Sequence, residues 1–493
     1  MPDFKSLTEN RYTLNDIFVK SSEVWLAVAL LCFPMAHMVH LLVFTFLDND
    51  NINEAGFIHL LGTGEYPGDY LTTIVSTSFL FAALFGIIGI ISKLVSEAKN
   101  KSLINSDRIP GIFFFVFIVL AIISVALNGI SRELMFGFTV RGEGFTSILA
   151  YFLFYYIGSS VRNERIKYII IYSILGVGLV NSVMVLVNEY IVRVPISSHY
   201  YHASVYYNVN FYAYFLTLVI MLSAALVLKD KSKGRKIFAF ISLCMNTFVL
   251  VLNNTFGCFV ACFVAFIIMI IADSVIKKKF SFASLGLFGV FLAICFFCGF
   301  WYRSFFAQLL GLFTDIQLIV MDDENAADAG TLRWGLWTNT IRYIKEKPIV
   351  GYGFEGICDR LLKDAEQDKV HNEYLEYAAD FGIPAALCYI GGLIAVYIKA
   401  LKKRAQIDGA TFCCLVAAFG YIGSAFFGNT MVFIAPFFFI ILGLANAIGS
   451  KPYAIPCAAA ESDDTACHSE PAEESNVSEA DESDTIPEGD ILE

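Results

Sequence analysis

The stretch "TFGCFVACFVAFIIMIIADSVIKKKFSFASLGLFGVFLAICFFCGFW", residues 255–301, decides the fold. It holds two apolar runs, 255–276 and 280–301, parted by Lys277, Lys278 and Lys279. Each run has the roughly 20 residues that an α-helix needs to cross a bilayer core. The lysines mark a short cytoplasmic loop, because such loops collect Lys and Arg. Two crossings joined by a basic loop predict an all-α polytopic membrane protein, and the rest of the chain repeats the pattern.

Working outward, twelve spans are expected, at 23–47, 70–95, 109–129, 145–161, 167–192, 210–229, 236–254, 255–276, 280–301, 383–401, 409–429 and 431–449. The seventh and eighth meet at a tight turn, Asn253–Asn254. With the N-terminus inside, 23 of the 34 Lys and Arg fall on the cytoplasmic side, and every short cytoplasmic loop is basic. Both termini are therefore expected in the cytoplasm. The predicted division is a cytoplasmic N-terminus at 1–22, spans one to nine within 23–301, an extracytoplasmic loop at 302–382, three spans within 383–449, and a tail at 450–493.

Composition agrees: 57% of residues are hydrophobic and 16% charged, against about 25% charged in soluble domains. The net charge of −11 belongs to the tail, where Glu461 to Glu493 carry 13 acidic residues and no Lys or Arg. That tail is Ser-rich and poor in bulky apolar residues, the signature of a disordered segment. Most of the 12 cysteines lie inside apolar spans and read as small hydrophobes rather than disulfide partners. The first apolar run is too long for the core of a signal peptide.

The outer loop carries the chemistry. "TLRWGLWTNTIRYI" has Leu332, Leu336, Ile341 and Ile344 at near-helical spacing and includes Arg333 and Trp337. "KPIVGYGFEG" offers Gly351 and Gly353, which permit a sharp turn or a close backbone approach to a ligand. "HNEYLEYAADFGIP" reads as a helix capped by Asn372 or His371 and closed by Gly382 and Pro384. His371 then sits at a helix N-terminus, where free N–H groups favour phosphate and the positive end keeps the imidazole neutral. Two further outer segments are candidates: "MFGFTVRGEGF" with Arg141, and "SVYYNVNFYAYFL" with Asn208 and Asn210. Arg360, Lys363 and Lys369 read as a solvated face. The pairs His37/His40 and His199/His202 lack the accompanying carboxylate or thiolate ligands of a metal site.

Taken in order, "RWGLW" (Arg333 to Trp337), "PIVGYG" (Pro348 to Gly353) and "HNEYL" (His371 to Leu375), then "FGIPAAL", resemble the loop of the O-antigen ligase and O-antigen polymerase superfamily. "VRGEG" and "NVNFYAYFL" resemble two earlier elements of that family. The likeness spans about 137 to 445, and the loop triplet is its specific part. There is one departure: Phe256, in "NNTFGCFVA", stands where many relatives carry a mid-span arginine. Either Arg141 supplies that charge or the donor pyrophosphate is held differently.

The resemblance implies a bacterial cytoplasmic-membrane glycosyltransferase of the GT-C type that needs no metal or cofactor. The donor would be a polyprenyl-pyrophosphate-linked oligosaccharide, and the acceptor a glycan, lipid or protein-linked sugar at the outer face. No nucleic-acid partner is expected; a chain-length regulator or a cytoplasmic partner of the acidic tail is a further expectation. Arg333 and Arg141 would stabilise the leaving pyrophosphate, His371 would take the acceptor proton, and attack would invert the anomeric centre. Asn372, Tyr352, Gly351, Gly353, Asn208, Asn210 and Trp337 are the expected substrate contacts. Acceptor identity, which separates polymerase from ligase, is open; the missing mid-span arginine leans toward a polymerase. A twelve-helix transporter is the alternative, but the long connection falls late and outside rather than in the middle. A third reading, a scaffold whose tail recruits partners, requires that His371 be replaceable without effect.

Overall fold

The computed structural model describes residues 24–35, 84–91, 108–136, 143–192, 204–206, 208–301, 304–321 and 326–448. Arg141, both histidine pairs and the acidic tail lie outside the described residues. The described chain is all helical, with no strand among the described residues. In chain order its helices are α1 (Val24–Met35), α2 (84–91), α3 (Ile109–Asn128), α4 (Arg132–Phe136), α5 (Phe145–Ser160) and α6 (Glu164–Val187). Then follow α7 (Val209–Lys229), α8 (Lys233–Asn253), α9 (Phe256–Lys277) and α10 (Phe282–Trp301). The loop contains α11 (Ser304–Val320), α12 (Arg333–Glu346), α13 (Cys358–Ala365) and α14 (Glu373–Phe381). The chain returns through α15 (Ile383–Lys402), α16 (Gly409–Ser424) and α17 (Ala435–Asn446).

Eight segments are long and apolar enough to cross a membrane: α3, α6, α7, α8, α9, α10, α15 and α16, the sixth and sixteenth helices extended by a short turn. The sequence reading gave twelve. Its first two spans fall largely outside the described residues, and its fourth and twelfth are the shorter apolar helices α5, of 16 residues, and α17, of 12. The loop is richer than expected, because the apolar helix α11 occupies a stretch for which no element was foreseen.

The centre of the bundle is α7, buried on every side from Tyr212 to Leu226 between α8, α9 and α16. By contrast α3 and α10 expose large apolar side chains, among them Ile112, Phe115, Leu127, Phe296, Phe297 and Phe300. Apolar surface on that scale has no place in water and fits the hydrocarbon of a bilayer. The helices α5 and α17 meet backbone to backbone. A Cβ on Gly443 would lie 2.4 Å from the Tyr155 carbonyl oxygen, and one on Gly158 would lie 2.9 Å from that of Ile440. Small residues at crossings are how membrane helices gain close van der Waals contact.

Charged groups knit one end of the bundle. The Lys167 ammonium, at the start of α6, donates to Asp408 (2.9 Å), Thr411 (2.7 Å) and the Ala447 carbonyl (2.9 Å). Buried Asp273, near the end of α9, accepts from Lys229 at 2.6 Å and Lys277 at 2.7 Å. Lys399 of α15 donates to the Asn446 carbonyl at 2.6 Å. This is the end that carries the basic loops. The nine described cysteines of the apolar spans form no disulfide, as expected from their apolar settings.

Candidate active site

At the opposite end, α12 begins abruptly. Gly330, Thr331 and Leu332 all have positive φ (65°, 58° and 69°), so the chain turns sharply and delivers Arg333 as the first helical residue. Leu336, Thr340, Tyr343 and Ile344 form the buried face, while Leu332 and Ile341 of the expected stripe are exposed. The Arg333 guanidinium reaches back to the Gly330 carbonyl at 3.4 Å and Thr331 Oγ1 at 3.3 Å. Its Nε is shielded from solvent and has no acceptor, and no carboxylate pairs with it among the described residues. One helical turn on, the shielded indole Nε1 of Trp337 is also without an acceptor. Residues four apart share a helix face, so two unsatisfied donors face the same way.

The "PIVGYG" turn is held by backbone. The N–H of Tyr352 donates to the Ala379 carbonyl at 2.9 Å, that of Gly353 to Asp380 at 2.8 Å, and that of Ile383 to Pro348 at 2.8 Å. Gly351 has φ 65°, and a Cβ there would lie 2.4 Å from the Asp380 carbonyl oxygen. The glycines thus let the turn dock on the C-terminal end of α14. From α3, Ser124 donates to the Asp380 carbonyl (2.8 Å) and Asn128 to that of Gly351 (3.2 Å). Gly351→Ala combines a left-handed alanine with a backbone clash. It is expected to destabilise the protein by about 2–4 kcal/mol, read as a lower thermal midpoint of the purified protein. The Tyr352 hydroxyl donates to Glu346 at 2.8 Å and its ring stacks under Arg360 (4.8 Å) and Lys347 (4.7 Å). Those contacts tie it to α12 and α13.

Asn372, not His371, caps α14: its side chain accepts from Tyr374 N at 3.1 Å and Leu375 N at 3.0 Å. His371 precedes the cap with φ 54°, a left-handed conformation costing about 1–2 kcal/mol for a residue with a Cβ. The two early glutamates do not simply complement the helix dipole. Glu373 is buried and accepts from Tyr389 of α15 and, at 3.4 Å, from Tyr421 of α16. Burial pushes its carboxyl up to about 7, partly opposed by those hydroxyls.

Lys369 overturns the expectation of a solvated face. It is 4% exposed, and its Nζ sits 2.8 Å from Glu355, 2.9 Å from Glu376 and 3.9 Å from Glu143. Arg360 does stay at the surface, paired with Glu346 at 2.7 Å. Burial pushes the Glu143 carboxyl up to about 8, with Lys369 opposing, and lifts Asp380 well above the usual carboxylate range. Glu143 also accepts from Tyr151 at 2.8 Å. Through Lys369 the "VRGEG" element meets the "HNEYL" element.

The remaining candidates border this region. Asn208 caps α7, accepting from Asn210 N at 2.8 Å. Asn253, in the turn between α8 and α9, donates to the Val209 carbonyl at 2.9 Å, so the "NVN" start lies against "NNTFG". All the described candidate residues therefore gather at the end opposite the basic loops, with Tyr352 and the glycines serving the scaffold. The sequence reading missed Lys369, Glu355 and Glu373 as buried groups. Its one available signal was the presence of glutamates inside apolar stretches.

Residues 237–390 match the family model described as O-Antigen ligase. The match runs from α8 into α15 and takes in Arg333, Trp337, Gly351, Tyr352, Gly353, His371 and Asn372, but not Arg141, Asn208 or Asn210. It supports the O-antigen ligase and polymerase superfamily suggested by the motifs. No curated protein matches the chain.

Proposed function

We propose that this membrane protein of O-antigen ligase and polymerase type transfers oligosaccharide from a polyprenyl-pyrophosphate donor at the outer face of the bacterial cytoplasmic membrane. The observation that carries the proposal is Arg333: a half-buried guanidinium whose shielded Nε has no acceptor, and which no carboxylate pairs with among the described residues. Such a group calls for an anion, and guanidinium binds phosphate oxygens in a planar fork. Trp337 offers a second donor on the same face. The pyrophosphate leaves with its charge held by these fixed donors and by Arg141, so the reaction runs without a metal ion. His371 takes the proton of the acceptor hydroxyl as that oxygen attacks the anomeric carbon from the face opposite the leaving group, with inversion. Asn372 fixes the helix start beneath it. The basic end of the bundle, with both termini, faces the cytoplasm. Twelve crossings, including α1, α2, α5 and α17, complete the bundle.

The test is direct. Full-length protein in vesicles is given lipid-linked oligosaccharide in the presence of EDTA, and products are followed by mass spectrometry. Joined oligosaccharide and free polyprenyl pyrophosphate are expected at an undiminished rate. Loss of transfer on chelation, restored by a divalent cation, would contradict the metal-free reading. No transfer under any condition would contradict the reaction itself. Product on a second lipid-linked repeat identifies a polymerase; product on a different acceptor identifies a ligase.

A further inference from the structure

We propose that Lys369 is a positioning residue whose buried ammonium clamps the segments carrying His371 and Glu143 onto the glycine-rich turn. This rests on the reading of Arg333 and His371 as the reactive mouth. The three carboxylates around Lys369 come from three separate segments. Glu355 follows the turn by two residues after Gly353, Glu376 lies in the first turns of α14, and Glu143 follows Arg141 by two residues. An ordinary ion pair needs one partner, whereas this lysine draws in three, with the Phe354 ring 5.6 Å from the ammonium. Asp380, Tyr151 and Tyr377 are among the surrounding titratable groups.

The geometry bears on His371 in particular. The bond from Lys369 Nζ to Glu376 Oε1, 2.9 Å long, closes the chain on itself across seven residues, and His371 lies inside that ring. Two non-glycine residues with left-handed backbone, His371 (φ 54°) and Glu355 (φ 55°), are both tied to it. Isolated, neither residue favours that conformation. Release of the ammonium frees both to relax toward extended backbone, and the imidazole moves off line. It also leaves buried carboxylates uncompensated, so the Glu143 loop separates from α14.

The experiment compares Lys369→Gln, Lys369→Arg, Glu355→Gln and His371→Ala with the native full-length protein. Turnover and donor KM are measured with lipid-linked oligosaccharide, per folded molecule. Lys369→Gln is expected to lower kcat by about 100-fold, with the donor KM within about threefold. Lys369→Arg, which keeps the charge, is expected to restore kcat to within about tenfold of native. Glu355→Gln leaves the Glu376 pair in place and so keeps the fold; a loss of about tenfold in kcat is expected. Should Lys369→Gln fail to accumulate, Glu355→Gln carries the test. Native kcat in Glu355→Gln, or a loss confined to KM, would overturn the role of Lys369 while His371→Ala remains inactive. Native kcat in His371→Ala would overturn the underlying reading, and the clamp with it.

Discussion

Arg333→Ala is expected to lower glycan transfer by about 100- to 1,000-fold while the protein still reaches the membrane in normal amount. The fold has little stake in this guanidinium, whose contacts are a 3.4 Å approach to a carbonyl and a 3.3 Å approach to a hydroxyl. The stake is in the proposed reaction, where negative charge would grow on the leaving pyrophosphate. Arg333→Lys is expected to recover only part of the rate, because an ammonium lacks the planar fork. The measurement is a surface-glycan ladder on a gel, with membrane protein level and lipid-linked precursor followed in the same cells. A collapsed ladder with accumulating precursor is the expected result. An unchanged ladder would remove Arg333 from the mechanism.

His371→Ala is expected to cost about 100- to 10,000-fold in transfer, the range for loss of a positioned general base. A complication is the backbone, since φ at this position is 54°. Alanine tolerates that conformation poorly, so part of any loss could come from a shifted loop. His371→Asn separates the effects: asparagine accepts left-handed backbone readily but is no base. Both variants are expected to lose transfer, and the asparagine variant to keep the native thermal midpoint. Retained transfer in either would leave "HNEYLEY" as a capped loop helix and remove His371 from the mechanism.

What was legible in the sequence was set by local rules. Apolar length and basic loops located the crossing helices, because a bilayer constrains each span on its own. The cap before α14 was legible because Asn at a helix start bonds N–H groups two and three residues on. The φ-dependent turn at Gly351 and Gly353 was legible as a turn, but not its docking surface. Lys369 was misread for the same reason. Its partners Glu143 and Glu355 are brought to it by the fold alone, and a lysine among Asp368, Arg360 and Lys363 looks solvated in one dimension. Tyr352 points to Arg360 and Glu346 through contacts that spacing does not encode. The helix α11 escaped notice because an apolar run of Leu310–Val320 is shorter than a span.

The central claim is that Arg333 and its helix face hold the donor pyrophosphate at the mouth opposite the basic loops. An experimental structure with a polyprenyl-pyrophosphate oligosaccharide bound tests it most directly. The expected result is pyrophosphate oxygens on Arg333 Nε and Trp337 Nε1, the anomeric carbon facing His371, and the lipid running between helices. Density for the pyrophosphate at the other end of the bundle, beside Lys229 and Asp273, would contradict it.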